Sequence, residues 1–520
     1  MLAMGQYDAP QKQKQPIFYL DPYKSHIAVF GTPMSGKTTF VKTLLVRLHE
    51  NADQKPRENI YIIDFGGNIG RYSKLGNVCA CFDNSNEENI KRVFRTIEAR
   101  IDENAKKLDS QNYYSVISKN PEQAPEHLFL IIENVNAFLS DERYSAYQDR
   151  LLKLCRDGLS KGLTVVVTAN ETTGLNRILA NFGQKVAFEM PADSYFEIFN
   201  TKVTPPLRLP GRGIVNIENI PYEFQCFLPF PTLEDEESIR QMAAESVKYP
   251  NPHIMAAFGE ILDKKNFMQY CASGYSDQTG PDQVVVGLDY YEHKPVCVNY
   301  AENRSIAIYG KRKFGKSNLL TLLLQGIQKQ RPDARFVYFD DGREQLSQFA
   351  TPDSPRFISA NSVLVSDMEG LLTQMAQMGY LALRGDSIAL LPREENAPFT
   401  VFVMQSKLLY RGSKYARVLL CSCFPQLISD AIRRNVMFIF SDVPNISDAD
   451  TRRIFNDNIS VACLLDSIGD FLSDKMDKTP FGMMDSTELK MEYAKCALGD
   501  GYLYETEADK LKKLKFIKAD

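Results

Sequence analysis

The sequence predicts two tandem α/β domains, each a mainly parallel sheet covered by helices. Three observations carry this. Short runs of almost unbroken Val, Ile, Leu and Phe alternate with stretches whose apolar residues recur at helical spacing, the pattern of strands buried on both faces. The same landmarks occur twice in the same order, as in an internal duplication. Each half also holds a glycine loop, FGTPMSGKTTF at 30–40 and YGKRKFGKSNL at 309–319, set between an apolar strand and an apolar helical pattern.

In chain order, QPIFYLDPYKSHIAVFG leads into the first loop and KPVCVNYAENRSIAIYG into the second. Each reads as a short strand, a polar turn and a second, apolar strand. Helical patterns follow the loops, FVKTLLVRL and LLTLLLQGI. A strand ending in acid comes next: IYIID closes at Asp64, and RFVYFDD at Asp340 and Asp341. The third strands are LFLIIEN and FTVFVMQS, the fourth LTVVVTAN and NVMFIFSD, and each half ends on a glycine pair before another strand, PGRGIV and LGDGYLY. Between strands, NEENIKRVFRTIEARI spaces Ile90, Val93, Phe94, Ile97 and Ile101 as one helical face, read as core. The boundaries are a first domain over 1–245, a linker over 246–283 and a second domain over 284–520.

Composition narrows the function classes. Apolar content of 44% and charged content of 24% are those of an ordinary globular protein. A net charge of −4 argues against bulk attraction to nucleic acid or anionic membrane. Ten cysteines form no CxxC pair, and several lie in apolar runs such as FQCFLPF, which reads as reduced thiols and no zinc site. No run approaches the ~18 apolar residues of a membrane-spanning helix. The N-terminus lacks the pattern of a secretory signal. The basic ending LKKLKFIKAD reads as a solvated final strand or helix.

The spacing GxxxxGK[ST] is met by Gly31, Gly36, Lys37 and Thr38, and again by Gly310, Gly315, Lys316 and Ser317. Glycines let the backbone curl so that N–H groups face phosphate oxygens, and the following helix adds its positive end. The lysine reaches the terminal phosphates, while the Thr or Ser hydroxyl is a Mg²⁺ ligand. The candidate ATP-binding residues are therefore Gly31, Thr32, Pro33, Met34, Ser35, Gly36, Lys37, Thr38 and Thr39 in the first half. In the second they are Gly310, Lys311, Arg312, Lys313, Phe314, Gly315, Lys316, Ser317 and Asn318. The bulk of residues 311–314 leaves open a relic loop filled by its own side chains.

Hydrolysis asks for more than a cradle. An acid at the end of the third strand holds hydrated Mg²⁺, and a second acid beside it polarises the attacking water. Here Glu133 takes the first place and neutral Asn134 the second, while the other half offers only Gln405 and Ser406. The metal candidates are Thr38, Ser317 and Glu133, and no residue qualifies as a complete catalytic base. Both sites are expected to bind and barely turn over. The alternatives for Asp64, Asp340 and Asp341 are substitution for the missing acids or capping of a loop.

The order of loop, third strand and glycine pair resembles the FtsK/SpoIIIE class of RecA-like P-loop ring ATPases. More closely, MGQYDAPQKQKQPIFYLDPYKSHIAVFGTPMSGKT and GLDYYEHKPVCVNYAENRSIAIYGKRKFGKS are similar to two successive domain starts in the type VII (ESX, WXG-substrate) secretion ATPases EssC, EccC and YukB. The resemblance implies two tandem RecA-like NTPase domains forming a C-terminal portion of a membrane-anchored chain, at the cytoplasmic face of a bacterial membrane. It implies a ring, a hexamer in full length, within a membrane secretion complex, and docking of small helical WXG-type substrates by their C-terminal tails. Where motors of this class have a sensor Gln, the sequence has Asn170 and Asp442. Arg71, Arg143 and Arg177 stand near strand ends as arginine-finger candidates or as surface charges. Two other functions stay open to the sequence: a DNA-translocating motor, and a ring scaffold without nucleotide.

Overall fold

The computed structural model describes all residues except 51–56, 232–235, 247–250, 252, 256–260, 272–279, 341–345, 355, 359–360, 385–386, 393–396, 406–423, 442–456, 466–495 and 520. Asp341, Ser406 and Asp442 lie outside the described residues. The chain divides into two compact units, Met1–Ala257 and Phe258–Asp520.

In the first unit the strands are β1 (Leu2–Tyr7), β2 (Ile17–Leu20), β3 (Ile27–Phe30), β4 (Glu58–Asp64), β5 (Val78–Asp83), β6 (His127–Glu133), β7 (Leu163–Ala169), β8 (Gln184–Ala187), β9 (Arg212–Ile217) and β10 (Ile220–Cys226). They form one sheet in the order β2-β1-β10-β9-β8-β3-β7-β6-β4-β5. From β8 to β5 neighbours run parallel; from β8 outward to β2 they run antiparallel.

The second unit repeats this with β11 (Gln283–Asp289), β12 (Pro295–Asn299), β13 (Ser305–Tyr309), β14 (Arg335–Phe339), β15 (Ser362–Val365), a separate hairpin β16 (Leu381–Arg384) and β17 (Ser387–Leu390), β18 (Thr400–Gln405), β19 (Val436–Ser441), β20 (Val461–Leu464), β21 (Asp500–Glu505) and β22 (Lys510–Phe516). Its order, β12-β11-β22-β21-β20-β13-β19-β18-β14-β15, matches the first strand for strand. The duplication read from the sequence is thus present in the topology, and both units are mixed α/β sheets of mostly parallel strands.

Period-two alternation explains the unbroken apolar runs. Ala28, Phe30, Tyr61, Ile63, Leu130 and Ile132 enter one apolar layer of the first unit. Their neighbours Ile27, Val29, Ile60, Ile62, Phe129 and Ile131 enter another. A strand whose two faces are both covered has no use for polar alternation. The helix Glu87–Leu108 lays Ile90, Val93, Phe94, Ile97 and Ile101 into the first layer, as its spacing predicts. The helix Lys37–Glu50, which begins inside the first glycine loop, supplies Phe40, Val41, Leu44 and Leu48 to the second.

Within 246–283, the helix Lys264–Tyr270 is capped by Asp263, and its Phe267 packs with Leu288, Leu322 and Ile517 of the second unit. The basic ending corrects one expectation. Strand β22 is not a solvated strand but lies between β11 and β21. Its lysines are accommodated there: Lys515 is 2.8 Å from buried Asp500, and Lys513 sits over the Tyr290 ring at 4.9 Å. Position 500 follows Gly499 as Arg212 follows Gly211, and Arg212 pairs with Glu223 at 2.9 Å. The two halves satisfy the same place with opposite charges.

Candidate functional site

In the first unit, β3 ends at Phe30 and the chain turns at once into the loop. Gly31 donates its N–H to Ala169 O at 3.1 Å, and Thr32 to Glu189 O at 2.8 Å, which ties the loop to the strand ends on either side. Gly36 has φ of +118°, and a Cβ built on it would lie 2.8 Å from Gly211 N and 2.9 Å from Gly211 Cα. Gly211 N donates to Ser35 O at 2.9 Å. The glycine pair PGRG, which the sequence showed only as a repeated landmark, is therefore the back wall of the loop.

Lys37 folds its Nζ over the loop, donating to Gly31 O and to Thr32 O at 2.9 Å for the latter. Burial holds its pKa below the ordinary lysine value, opposed by the carboxylate of Glu133. Thr38 Oγ1 donates to Glu133 Oε1 at 2.7 Å. Thr168 Oγ1, on the adjacent strand, donates to Glu133 Oε2 at 2.8 Å and accepts from Asn134 N at 2.8 Å. Burial pushes the Glu133 pKa up; the two hydroxyls and Lys37 oppose that, and Asp64 adds to it. Asn134 stands in the left-handed backbone region at φ +61°, at the N-terminal end of the short helix Val135–Ser140, and, being neutral, brings no acid beside Glu133.

Asp64 caps a loop. Its carboxylate accepts from Gly66 N (3.0 Å), Gly67 N (2.7 Å) and Ile69 N (2.9 Å). Three backbone N–H groups thus occupy this carboxylate as the acceptor of a turn. Its turn nonetheless lies against the site, because a Cβ on Gly66 would be 3.0 Å from Glu133 Cγ.

Strand register places the same three positions in both halves. Asp64 is opposite Glu133, and Ile132 is opposite Val167, so Glu133 neighbours Thr168. In the second unit Phe339 is opposite Met404 and Gln405 opposite Ser441. The row Asp64, Glu133, Thr168 thus becomes Asp340, Gln405, Ser441. Asp340 Oδ2 accepts from Ser347 N at 2.9 Å, again a loop contact. Lys316 Nζ donates to Gly310 O at 2.5 Å and Lys311 O at 3.0 Å, the same fold-over as Lys37. Lys311, Arg312 and Lys313 are exposed, while Phe314 packs against the core. Asn318 turns its side chain away from the loop's ligands: Nδ2 donates to Ile517 O and Oδ1 accepts from Ala519 N, both at 2.7 Å. A Cβ on Gly315 would meet nothing within 4 Å among the described residues, so none of these backs the second loop there as Gly211 backs the first.

The residues of the first loop fit phosphate. Ser35 Oγ is buried without a hydrogen-bond partner among the described residues, and a Cβ on Gly31 would close to 2.3 Å from it. Thr38 and Glu133 already stand at hydrogen-bond distance, the pair of oxygens a hard cation takes.

The family model described as FtsK/SpoIIIE family matches residues 7–198. Over that stretch this chain is similar to the FtsK/SpoIIIE family. Its relatives are type VII secretion ATPases: an ESX secretion system protein EccC of Thermomonospora curvata is 24% identical over 396 residues, covering 71% of this chain and 29% of that protein. The chain spans about a quarter of the length of the curated relatives it matches. Among solved structures, ATPases 2 and 3 of Geobacillus thermodenitrificans EssC superpose with a TM-score of 0.71 at 18% identity, covering all of this chain and 96% of that one. ATPases 2 and 3 of Thermomonospora curvata EccC, solved with a signal sequence peptide, give 0.63 at 18% identity over all of this chain and 93% of that one. These likenesses show the fold, a tandem α/β pair.

Of the three arginines considered as fingers, Arg71 pairs with Glu236 at 2.9 Å and Arg143 with Asp141 at 2.6 Å. Arg177 is exposed and has no ion pair among the described residues. Asn170, at the sensor place, is exposed; its N–H donates to Asn136 Oδ1 at 3.0 Å. Sequence reasoning missed Thr168, although one polar residue inside VVVTA, beside a strand ending in acid, is the signal that could have found it.

Proposed function

We propose that this FtsK/SpoIIIE relative is an ATP-holding tandem module of a type VII secretion ATPase. It keeps nucleotide with little hydrolysis, docks the C-terminal tails of small helical secreted proteins and regulates a motor domain elsewhere in a longer, ring-forming chain at the cytoplasmic face of the membrane. Among the described residues no helix is long and apolar enough to cross a membrane. The observation that carries the reading is the seat of Glu133: both its oxygens are engaged by Thr38 and Thr168, and the next residue is a neutral asparagine. In the first cradle Lys37 and the loop N–H groups would hold the phosphates, with Thr38 and Glu133 for Mg²⁺, which would neutralise phosphate charge. Among the described residues no second acid stands beside Glu133 to take a proton from water. The peptide bound by the related EccC pair supports substrate docking on domains of this kind.

Single-turnover hydrolysis tests this. The chain should release phosphate far more slowly than ~1 s⁻¹, because a missing base costs about 10²–10⁴ in rate. Asn134→Glu should speed release. Turnover near ~1 s⁻¹ that disappears in Lys37→Ala or Lys316→Ala overturns the reading.

Asp64 gives a second expected result. Asp64→Asn leaves one N–H of its turn without an acceptor, at about 1–3 kcal/mol, and loosens the turn that packs on Glu133. In a Lys316→Ala background, binding of a fluorescent ATP analogue should weaken at low Mg²⁺ and recover as Mg²⁺ is raised. A loss of the same size at every Mg²⁺ concentration would show that Asp64 only supports the fold.

A further inference from the structure

The two cradles differ in what neutralises charge. In the first, residues 32–35 are Thr, Pro, Met and Ser, without charge, and the acid for a metal is Glu133. In the second, register puts Gln405 in the place of Glu133 and Ser441 in the place of Thr168. Gln405 is 2% exposed and its Oε1 has no hydrogen-bond partner among the described residues. An amide oxygen without charge is a weak anchor for hydrated Mg²⁺, which asks for carboxylates beside the phosphates. Among the described residues the acid left in this row is Asp340, which is fully buried and accepts from Ser347 N.

The loop itself supplies the opposite charge. Lys311, Arg312 and Lys313 replace Thr32, Pro33 and Met34, and all three are exposed. Lys313 has φ of +70° where Met34 has +65°, so the two loops take the same turn and the cations occupy its tip. Arg312 and Lys313 form no ion pair among the described residues. With Lys316 they make four cations around one curl of backbone N–H groups. A triphosphate stripped of its metal carries two more negative charges than its Mg²⁺ complex, and three additional side-chain cations can offset them.

We propose that the second cradle takes its nucleoside triphosphate without a divalent cation, Lys311, Arg312, Lys313 and Lys316 standing in for the metal. The proposal rests on the reading that these loops hold nucleotide, and adds that the two sites answer differently to Mg²⁺. The buried, unpartnered Gln405 Oε1 is an acceptor at the strand end, suited to a ligand hydroxyl or ordered water rather than to a metal shell.

Equilibrium binding of a fluorescent ATP analogue to the unmodified chain tests it by stoichiometry. Two equivalents should bind in Mg²⁺ and one in EDTA, and the EDTA-resistant equivalent should weaken with added salt. In Lys37→Ala the remaining site should bind within about threefold equally in both buffers, and Gln405→Glu in that background should install about tenfold dependence on Mg²⁺. Lys316→Ala should lose the EDTA-resistant equivalent. If Lys37→Ala binds in Mg²⁺ but loses about tenfold or more in EDTA, the metal-free site is overturned while nucleotide holding stands. If Lys37→Ala binds nothing in either buffer and the unmodified chain takes only one equivalent in Mg²⁺, the nucleotide reading of the second domain falls with it.

Discussion

Gly36→Ala should abolish nucleotide binding at the first loop, and Gly315→Ala should only weaken it at the second. Both positions have left-handed φ, +118° and +100°, so each substitution carries backbone strain of about 1–3 kcal/mol. The difference is the neighbour. At Gly36 the added methyl strikes backbone atoms of Gly211 at 2.8 and 2.9 Å, and Gly211 has no slack. Its own N–H holds Ser35 O, and a Cβ on it would meet Gln225 Nε2 at 2.8 Å. Relief must come from moving the loop, which takes the N–H groups off the phosphates. At Gly315 the methyl meets none of the described residues. With the other loop silenced by its lysine substitution, Gly36→Ala should lose ~100-fold or more in affinity and Gly315→Ala about tenfold, as strain alone would give. Equal losses at the two loops would show that Gly211 is not a wall.

Glu58→Gln should change the pH dependence of the first domain's stability. Glu58 begins β4, at the end of the strands away from the loop, and is almost fully buried. Burial pushes its pKa from 4.5 to about 7, while the Tyr23 hydroxyl, donating at 2.5 Å, opposes the shift. Its other oxygen has no partner among the described residues. A carboxyl raised in the folded state favours folding most below its unfolded value, and loses that contribution as pH rises through about 7. Moving from 4.5 to about 7 corresponds to about 3 kcal/mol lost by pH 8. The variant should gain on the parent by that amount between pH 4.5 and pH 8.

The histidines nearby act in the opposite sense. His26 accepts from Val165 N through Nδ1 and so donates through Nε2 to Cys155 O at 2.9 Å, and burial takes its pKa down to about 4. Burial takes His127 down to about 3, with His26 adding to the effect. Their contributions are present above 6.5 and are lost as pH falls through those values, in parent and variant alike. Protection of β4 and β6 amides against hydrogen exchange, compared between the two proteins at each pH, isolates the Glu58 part. A gap that stays constant from pH 4.5 to pH 8 would remove Glu58 as its source.

Much of this molecule was legible in one dimension. Strands buried on both faces must be apolar at every position, so FLII and VVV announce themselves, and a loop that curls around phosphate needs glycine at fixed spacing. The degenerate acids were visible too, because Glu133, Asn134 and Gln405 are identities at strand ends rather than geometries. Antiparallel margins were less legible: β10 and β22 bury only part of their length and mix charge with apolar residues, as in KLKKLKF.

The sequence by itself determined a duplicated α/β chain with two phosphate loops and no complete pair of acids. Local composition suffices for that, since periodicity and motif spacing involve residues close along the chain. Only the tertiary structure decided that Asp64 caps a turn, that Thr168 holds Glu133, that Gly211 walls the first loop while no described residue so walls the second, and that Asn318 is tied to the segment after the last strand. Apart from the local Asp64 turn, each of these joins residues far apart in sequence. Their meeting is set by sheet order and register, which no neighbouring residue encodes.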